Sequence, residues 1–278
     1  MELNWFESFL YGLFSGLADI LPVSSQAHQL LMLKFFGISK ASGLLPLLVH
    51  LGIFAALYYS SNSQIVRISR ALRLARVPKR KRKRPLDVRS MMDWSLLKTM
   101  VIPVILSMFV YQYAQPLGNS LIWIAVFMFV NGVVLYVPQF LPTGNRDSRT
   151  LSRVEGLLMG LGGAFSVIPG ISAIGAATSV GSVCGVDRTY GLNMALMMNM
   201  VVNIGMIVFD IMNIASGGIG TLSLVIMLRY LFTAAVAFGA TIGGIRIMRS
   251  LAQSAGFTLF AFYCWGVALF TFIMNLMA

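Results

Sequence analysis

Charge and cysteine are scarce in this chain. Of its 278 residues only 11% are Asp, Glu, Lys or Arg, whereas 58% are hydrophobic, and the mean hydropathy is +0.81. A soluble globular domain carries about 25% charged residues, so that class is excluded. Cys184 and Cys264 stand in apolar or glycine-rich surroundings at no motif spacing. They read as small packing residues, which excludes a disulfide framework or a thiolate metal cluster. A cleavable leader is not expected either: Glu2 and Glu7 stand where a basic region should be, and Asp19 and Pro22 interrupt the apolar run.

What the chain does have is length in its apolar runs. Six segments reach the roughly 20 residues needed to span a bilayer: 44–60, 94–113, 121–140, 190–212, 222–246 and 256–276. The net charge of +12 is local. Residues 64–98 hold twelve basic and two acidic side chains, including Lys79-Arg80-Lys81-Arg82-Lys83-Arg84, and the rest of the chain is close to neutral. No aromatic interleaving accompanies the basic run, so no nucleic-acid partner is expected. A cytoplasmic loop over 64–93, held against anionic lipid headgroups, accounts for it. That assignment puts Arg146, Arg149, Arg153, Arg246 and Arg249 inside, and the loops near Pro116 and Ser216–Gly220 outside.

Two further apolar segments, 6–35 and 154–184, are each broken by a proline. Both breaks follow Gly-x5-Pro-x2-Ser: Gly16, Pro22, Ser25 and then Gly163, Pro169, Ser172. Broken segments in matching halves point to a binding site at mid-membrane, because non-helical backbone at that depth must be buried in protein or face water. The expected fold is an all-α polytopic membrane protein of six transmembrane helices plus two re-entrant hairpins, arranged as an inverted repeat. Repeat one covers 1–141 and repeat two 154–278 of a single membrane domain, 1–278.

Ionisable side chains inside membrane segments default to function. Glu155, Asp187, Arg188 and Asp210 fall near segment ends, where solvation explains them; Asp19, His28 and His50 are harder to dismiss. After Pro22 a new helix can start, and its unpaired N–H groups suit a phosphate. Ser24 and Ser25 add hydroxyls there, and His28 sits one turn further on, able to carry a proton near neutral pH. Capping alone would explain one serine, and a packed, hydrogen-bonded histidine would explain His50.

The run from Gly16 through Leu21-Pro22-Val23-Ser24-Ser25-Gln26-Ala27-His28 resembles the first motif of the bacterial undecaprenyl-diphosphate phosphatase (bacitracin-resistance protein) family, Glu-Gly-Leu-Thr-Glu-Phe-Leu-Pro-Val-Ser-Ser-x-Gly-His. Pro169-Gly170-Ile171-Ser172 is similar to the opening of its second, Pro-Gly-x-Ser-Arg-Ser-Gly-x-Thr. Leu47–Gly52, Gly185–Arg188 and Phe257–Trp265 sit where family-like segments belong, so the likeness covers essentially the whole chain. It departs at the chemistry. The two motif carboxylates become Ser15 and Asp19, the arginine becomes Ala173, the serine after it Ile174, and the threonine falls at Ala177 or shifts to Thr178.

The resemblance implies a multi-pass protein of the bacterial cytoplasmic (inner) membrane that removes the terminal phosphate of undecaprenyl diphosphate and so recycles the cell-wall lipid carrier. It implies His28, Ser25 and Asp19 as catalytic residues, and Ser24, Ser25, Ser172 and Thr178 as phosphate-binding ones. Asp19 would orient a divalent cation, Mg or Ca, or His28. A polyprenyl (di)phosphate lipid and a second copy of the chain in a homodimer are the expected partners. The lost arginine leaves two alternatives open: a carrier moving undecaprenyl phosphate between leaflets, or an inactive regulator.

Overall fold

The computed structural model describes residues 3–38, 42–217, 223–254 and 257–277, so most of the expected outer loop at 216–220, its residues 218–220, lies outside the described residues. Every regular element there is helical. In chain order these are α1 (Trp5–Ile20), α2 (Ser25–Phe35), α3 (Leu44–Ala75), α4 (Val88–Met108), α5 (Tyr111–Ala114), α6 (Leu121–Tyr136), α7 (Arg153–Ala164), α8 (Ala173–Val183), α9 (Arg188–Gly217), α10 (Leu224–Ser254) and α11 (Thr258–Met277). Six of them, α3, α4, α6, α9, α10 and α11, are long and apolar enough to cross a membrane, and the chain is a multi-pass membrane protein. Each of the six overlaps an expected span. The basic loop is shorter than expected: α3 runs on to Ala75 and carries Arg67, Arg70 and Arg73 as helical residues, and α4 already starts at Val88.

The two proline-broken segments form helix–break–helix units. At 1.5 Å per residue, the 16 residues of α1 and the 11 of α2 extend about 24 and 17 Å, short of a hydrocarbon core of about 30 Å. Both units open with the same device. Asn4 caps α1 with Glu7 reaching back to it, and Ser152 caps α7 with Glu155 reaching back. The two reciprocal bonds satisfy N–H groups that a helix end otherwise leaves unpaired, which gives Glu7 and Glu155 structural work.

Helices pair across the halves. The first half-helix α1 packs on α10, and its counterpart α7 packs on α4; α3 meets α9, and α6 meets α11. Small residues make both half-helix contacts close. Any Cβ on Gly12 or Gly16 would overlap the carbonyl oxygens of Thr233 and Ala237, and any on Gly156 or Gly160 would overlap Thr99 Oγ1 or Met100 O. Glycines four apart let helix backbones approach in this way. The counterpart of Gly16 in the other half is therefore Gly160 rather than Gly163, which instead faces Met198 of α9. A three-residue turn, Phe165–Val167, absorbs the difference. Replacing Gly16 or Gly160 by Val should each destabilise the protein by about 3 kcal/mol or more. Gly266→Val, where a Cβ meets nothing within 4 Å, should leave thermal unfolding in detergent unchanged.

The end of the bundle carrying the basic residues is tied by a buried carboxylate. Asp93 of α4 is fully buried and accepts from Ser148 Oγ at 2.6 Å, Tyr190 OH at 2.9 Å and Arg67 at 2.8 Å. Nearby, Arg149 bonded to Asp147 holds that carboxyl below its ordinary range.

Candidate active site

The two breaks touch. After Pro22 the chain turns through Ser24 at φ +67°, the only described non-glycine residue with positive φ. Backbone strain of this kind persists only where the surroundings hold it. Here the holding is visible: Ser24 Oγ accepts from Gly170 N–H of the other break at 3.0 Å. Asn131 of α6, fully buried, joins the two as well. Its amide donates to Pro22 O at 2.9 Å, and its carbonyl accepts from Ser172 N–H at 3.0 Å. Gly170 takes φ +119°, which a side chain would resist.

Between the breaks lies a polar cavity of about 20 Å³, room for roughly one water. Ser24, Ser25 and Gln26 at the start of α2 line it, and so do Ser172 and Ala173 at the start of α8. Two helix N-termini thus abut one space, and each contributes unpaired N–H groups and a partial positive charge. Ser24 makes no side-chain cap on α2, so the N–H groups of that end are left to a ligand. Ser172 caps α8 through Gly175 N–H at 3.2 Å and keeps a hydroxyl hydrogen to donate.

Asp19 of α1 is the acidic member of the lining. Its Oδ1 accepts from Ser25 Oγ at 3.2 Å, and its Oδ2 accepts from Asn199 at 2.7 Å and Asn203 at 3.2 Å. Asn199 and Asn203 lie one turn apart on α9, which puts both amides on one face. A hydroxyl held by a carboxylate, itself oriented by a third group, is the arrangement that makes a nucleophile. The buried Ser166 Oγ and Asn203 Oδ1 have no protein hydrogen-bond partner and remain available to a ligand.

The lining holds no preformed cage of protein oxygens for a divalent cation. Mg or Ca asks for several oxygen ligands, yet Asp19 is a lone carboxylate whose two oxygens already receive three donors. Among the described residues no group of three or more His, Cys, Asp or Glu could hold a metal ion.

Of the sequence-derived candidates, Asp19, Ser24, Ser25 and Ser172 come together. His28 and Thr178 do not join them. His28 packs on the other side of α2, with Nδ1 2.9 Å from Ser24 O and Nε2 2.8 Å from Tyr263 OH. Both ring nitrogens are engaged, and the ring lines an apolar groove of about 480 Å³ with Phe14, Leu17, Leu21, Phe260 and Tyr263. The expectation that His28 converges with the hydroxyls on one cavity is not met: its ring is turned into the groove, held there by Ser24 O and Tyr263 OH. Thr178 Oγ1 donates to Ile174 O at 2.7 Å and Gly175 O at 3.0 Å inside α8, so it is spent on its own helix backbone and lies off the cavity. Arg188 and Glu155, which fall near segment ends, are absent from the lining, and Glu155 is bonded to Arg146. Asn131, Asn199 and Asn203 were missed because neutral amides escape a search for ionisable groups. The available signal was that asparagines stand inside otherwise apolar spans, Asn131 in 121–140 and Asn199 and Asn203 in 190–212.

The family model described as bacitracin resistance protein BacA matches residues 8–270. An undecaprenyl-diphosphatase of Methanobrevibacter smithii is 26% identical over 272 residues, 96% of each chain. Undecaprenyl-diphosphatase 1 of Shouchella clausii is 27% identical over 280 residues, 98% of this chain and 97% of its own.

Proposed function

The chain belongs to the bacitracin resistance protein BacA family, and from that premise we propose that it hydrolyses undecaprenyl diphosphate to undecaprenyl phosphate and inorganic phosphate. The observation that carries the reading is the cavity where α2 and α8 both begin. Two helix N-termini and the hydroxyls of Ser24, Ser25 and Ser172 supply donors for phosphate oxygens. The lipid half of the substrate has a place beside it: the apolar groove along α1 and α11 shares Ala18 with the cavity wall.

In the proposed chemistry Ser25 Oγ attacks the terminal phosphorus while its proton passes to Asp19. The bond from that phosphorus to the bridging oxygen breaks, and undecaprenyl phosphate leaves with the electron pair. Water then attacks the phosphoserine, the P–Oγ bond breaks, and Ser25 recovers its proton from Asp19. Asn199 and Asn203 hold Asp19, and Asn131 holds the two breaks together. His28 braces the strained turn at Ser24 from behind, through Ser24 O and Tyr263.

The protein works in the bacterial cytoplasmic membrane, with Lys79–Arg84 against anionic headgroups on the cytoplasmic side. Its halves are an inverted repeat with two re-entrant units. The exchange of partners between α1–α10 and α7–α4, with α3 facing α9 and α6 facing α11, supports that reading. The carrier alternative is not favoured, since the relatives bear the names of hydrolases.

Purified protein in detergent should release inorganic phosphate from a short-chain polyprenyl diphosphate, and Ser25→Ala should not. Tight binding of that lipid with no phosphate released by the wild type would overturn the reading.

A further inference from the structure

One buried pair takes no part in the chemistry above. His50 of α3 and Asp210 of α9 are 4% and 6% exposed, with Nδ1 2.7 Å from Oδ2. His50 walls two spaces at once. One is the central cavity; the other is a vestibule of about 340 Å³ that reaches Pro116, Asn119 and Asn213, at the end of the bundle away from the Lys79–Arg84 cluster. Gln26 and Met206 complete the shared wall, while Asp210, Tyr11 and Tyr111 line the vestibule alone.

A carboxylate bound to one imidazole nitrogen selects the tautomer with the proton there. Asp210 therefore keeps the proton on Nδ1 and leaves the lone pair on Nε2, which has no hydrogen-bond partner among the described residues. The ring can accept a proton on the wall between the water-sized cavity and the larger polar space that supplies it. The other side chains that could take this proton are committed. Asp19 holds three donors and receives the proton of Ser25, and His28 faces the apolar groove with both nitrogens engaged.

We propose that His50, oriented by Asp210, activates the water that dephosphorylates Ser25. This rests on the phosphatase reading. A water drawn from the vestibule loses a proton to His50 Nε2, and its oxygen attacks the phosphorus on Ser25. The P–Oγ bond breaks, inorganic phosphate departs through the vestibule, and His50 returns its proton to solvent by the same route. The device places hydrolysis, and the exit of phosphate, at the end of the molecule opposite its basic cluster.

The test separates the two half-reactions with a short-chain polyprenyl diphosphate. His50→Gln should lower steady-state phosphate release about 10²- to 10⁴-fold, the range of a general base. It should leave the first turnover intact: a burst of polyprenyl monophosphate equal to the enzyme present, with phosphate retained on Ser25 and visible by mass spectrometry of the intact protein. Asp210→Asn should shift both readouts in the same direction by less, and it serves alone if His50→Gln does not fold. Wild-type turnover in the folded variants overturns the proposal while leaving the phosphatase reading standing. So does slowed release with no phosphate on Ser25. A wild-type protein that releases no phosphate overturns both.

Discussion

Asp19→Asn should lower kcat about 10³-fold or more while leaving KM for the diphosphate nearly unchanged. The side chains are isosteric, so packing is preserved, but every contact of Asp19 is as an acceptor: from Ser25 at one oxygen, from Asn199 and Asn203 at the other. An asparagine accepts at one end only. Either its NH2 faces the Ser25 hydroxyl and cannot take the proton, or it opposes the two amides and the carboxamide is turned away. Both outcomes remove the group that activates the nucleophile, and such groups act as a unit in which losing one member costs most of the rate. Affinity should hold or improve, because the variant takes a negative charge away from a phosphate site. Single-turnover release of the monophosphate measures the chemical step directly. A rate within tenfold of wild type would mean that Ser25 does not depend on Asp19.

Much of this architecture was legible from residue order alone, because a bilayer imposes simple rules. Each of the six spans announces itself by length and apolarity, and the breaks at Pro22 and Pro169 by interrupting segments too short to cross. Local chemistry read well too: a new helix does start after Pro22, and Ser24 and Ser25 open it. What failed depended on which helix faces which. His28 looked like part of the phosphate cradle because it follows the serines closely, but its ring is held by Tyr263 of α11, 235 positions away. Asp210 looked solvated at the end of its span, and its partner His50 stands 160 positions earlier. The matched spacing to Gly16 and Gly163 was an accident of an inserted turn. A single sequence carries no record of such distant pairings; the packing of α3 on α9 settles the second, and Tyr263 of α11 beside α2 the first.

Ala173→Arg should raise kcat, by about 10²-fold or more, and change KM less. Ala173 opens α8 beside Ser172 and lines the cavity, at the position where the motif it resembles carries arginine. A guanidinium there would add a mobile cation to fixed dipoles, and charge on the transferring phosphoryl oxygens is what a cation spreads best; arginine at such a place is worth roughly 10³ to 10⁵ in rate. The closed cavity has no room for it, so the side chain must extend into space that the bound substrate opens, which is why its benefit belongs to the transition state. Ser15 is a different case. It is 1% exposed, its hydroxyl has no protein partner, and it does not reach the cavity wall. Ser15→Glu alone should bury an unpaired carboxylate and lower the unfolding temperature without helping turnover. Combined with Ala173→Arg it should recover part of that stability, and a double-mutant cycle reads the coupling between the two new charges. A folded Ala173→Arg protein with unchanged kcat would show that the paired helix ends and hydroxyls already supply the charge-spreading that arginine performs elsewhere.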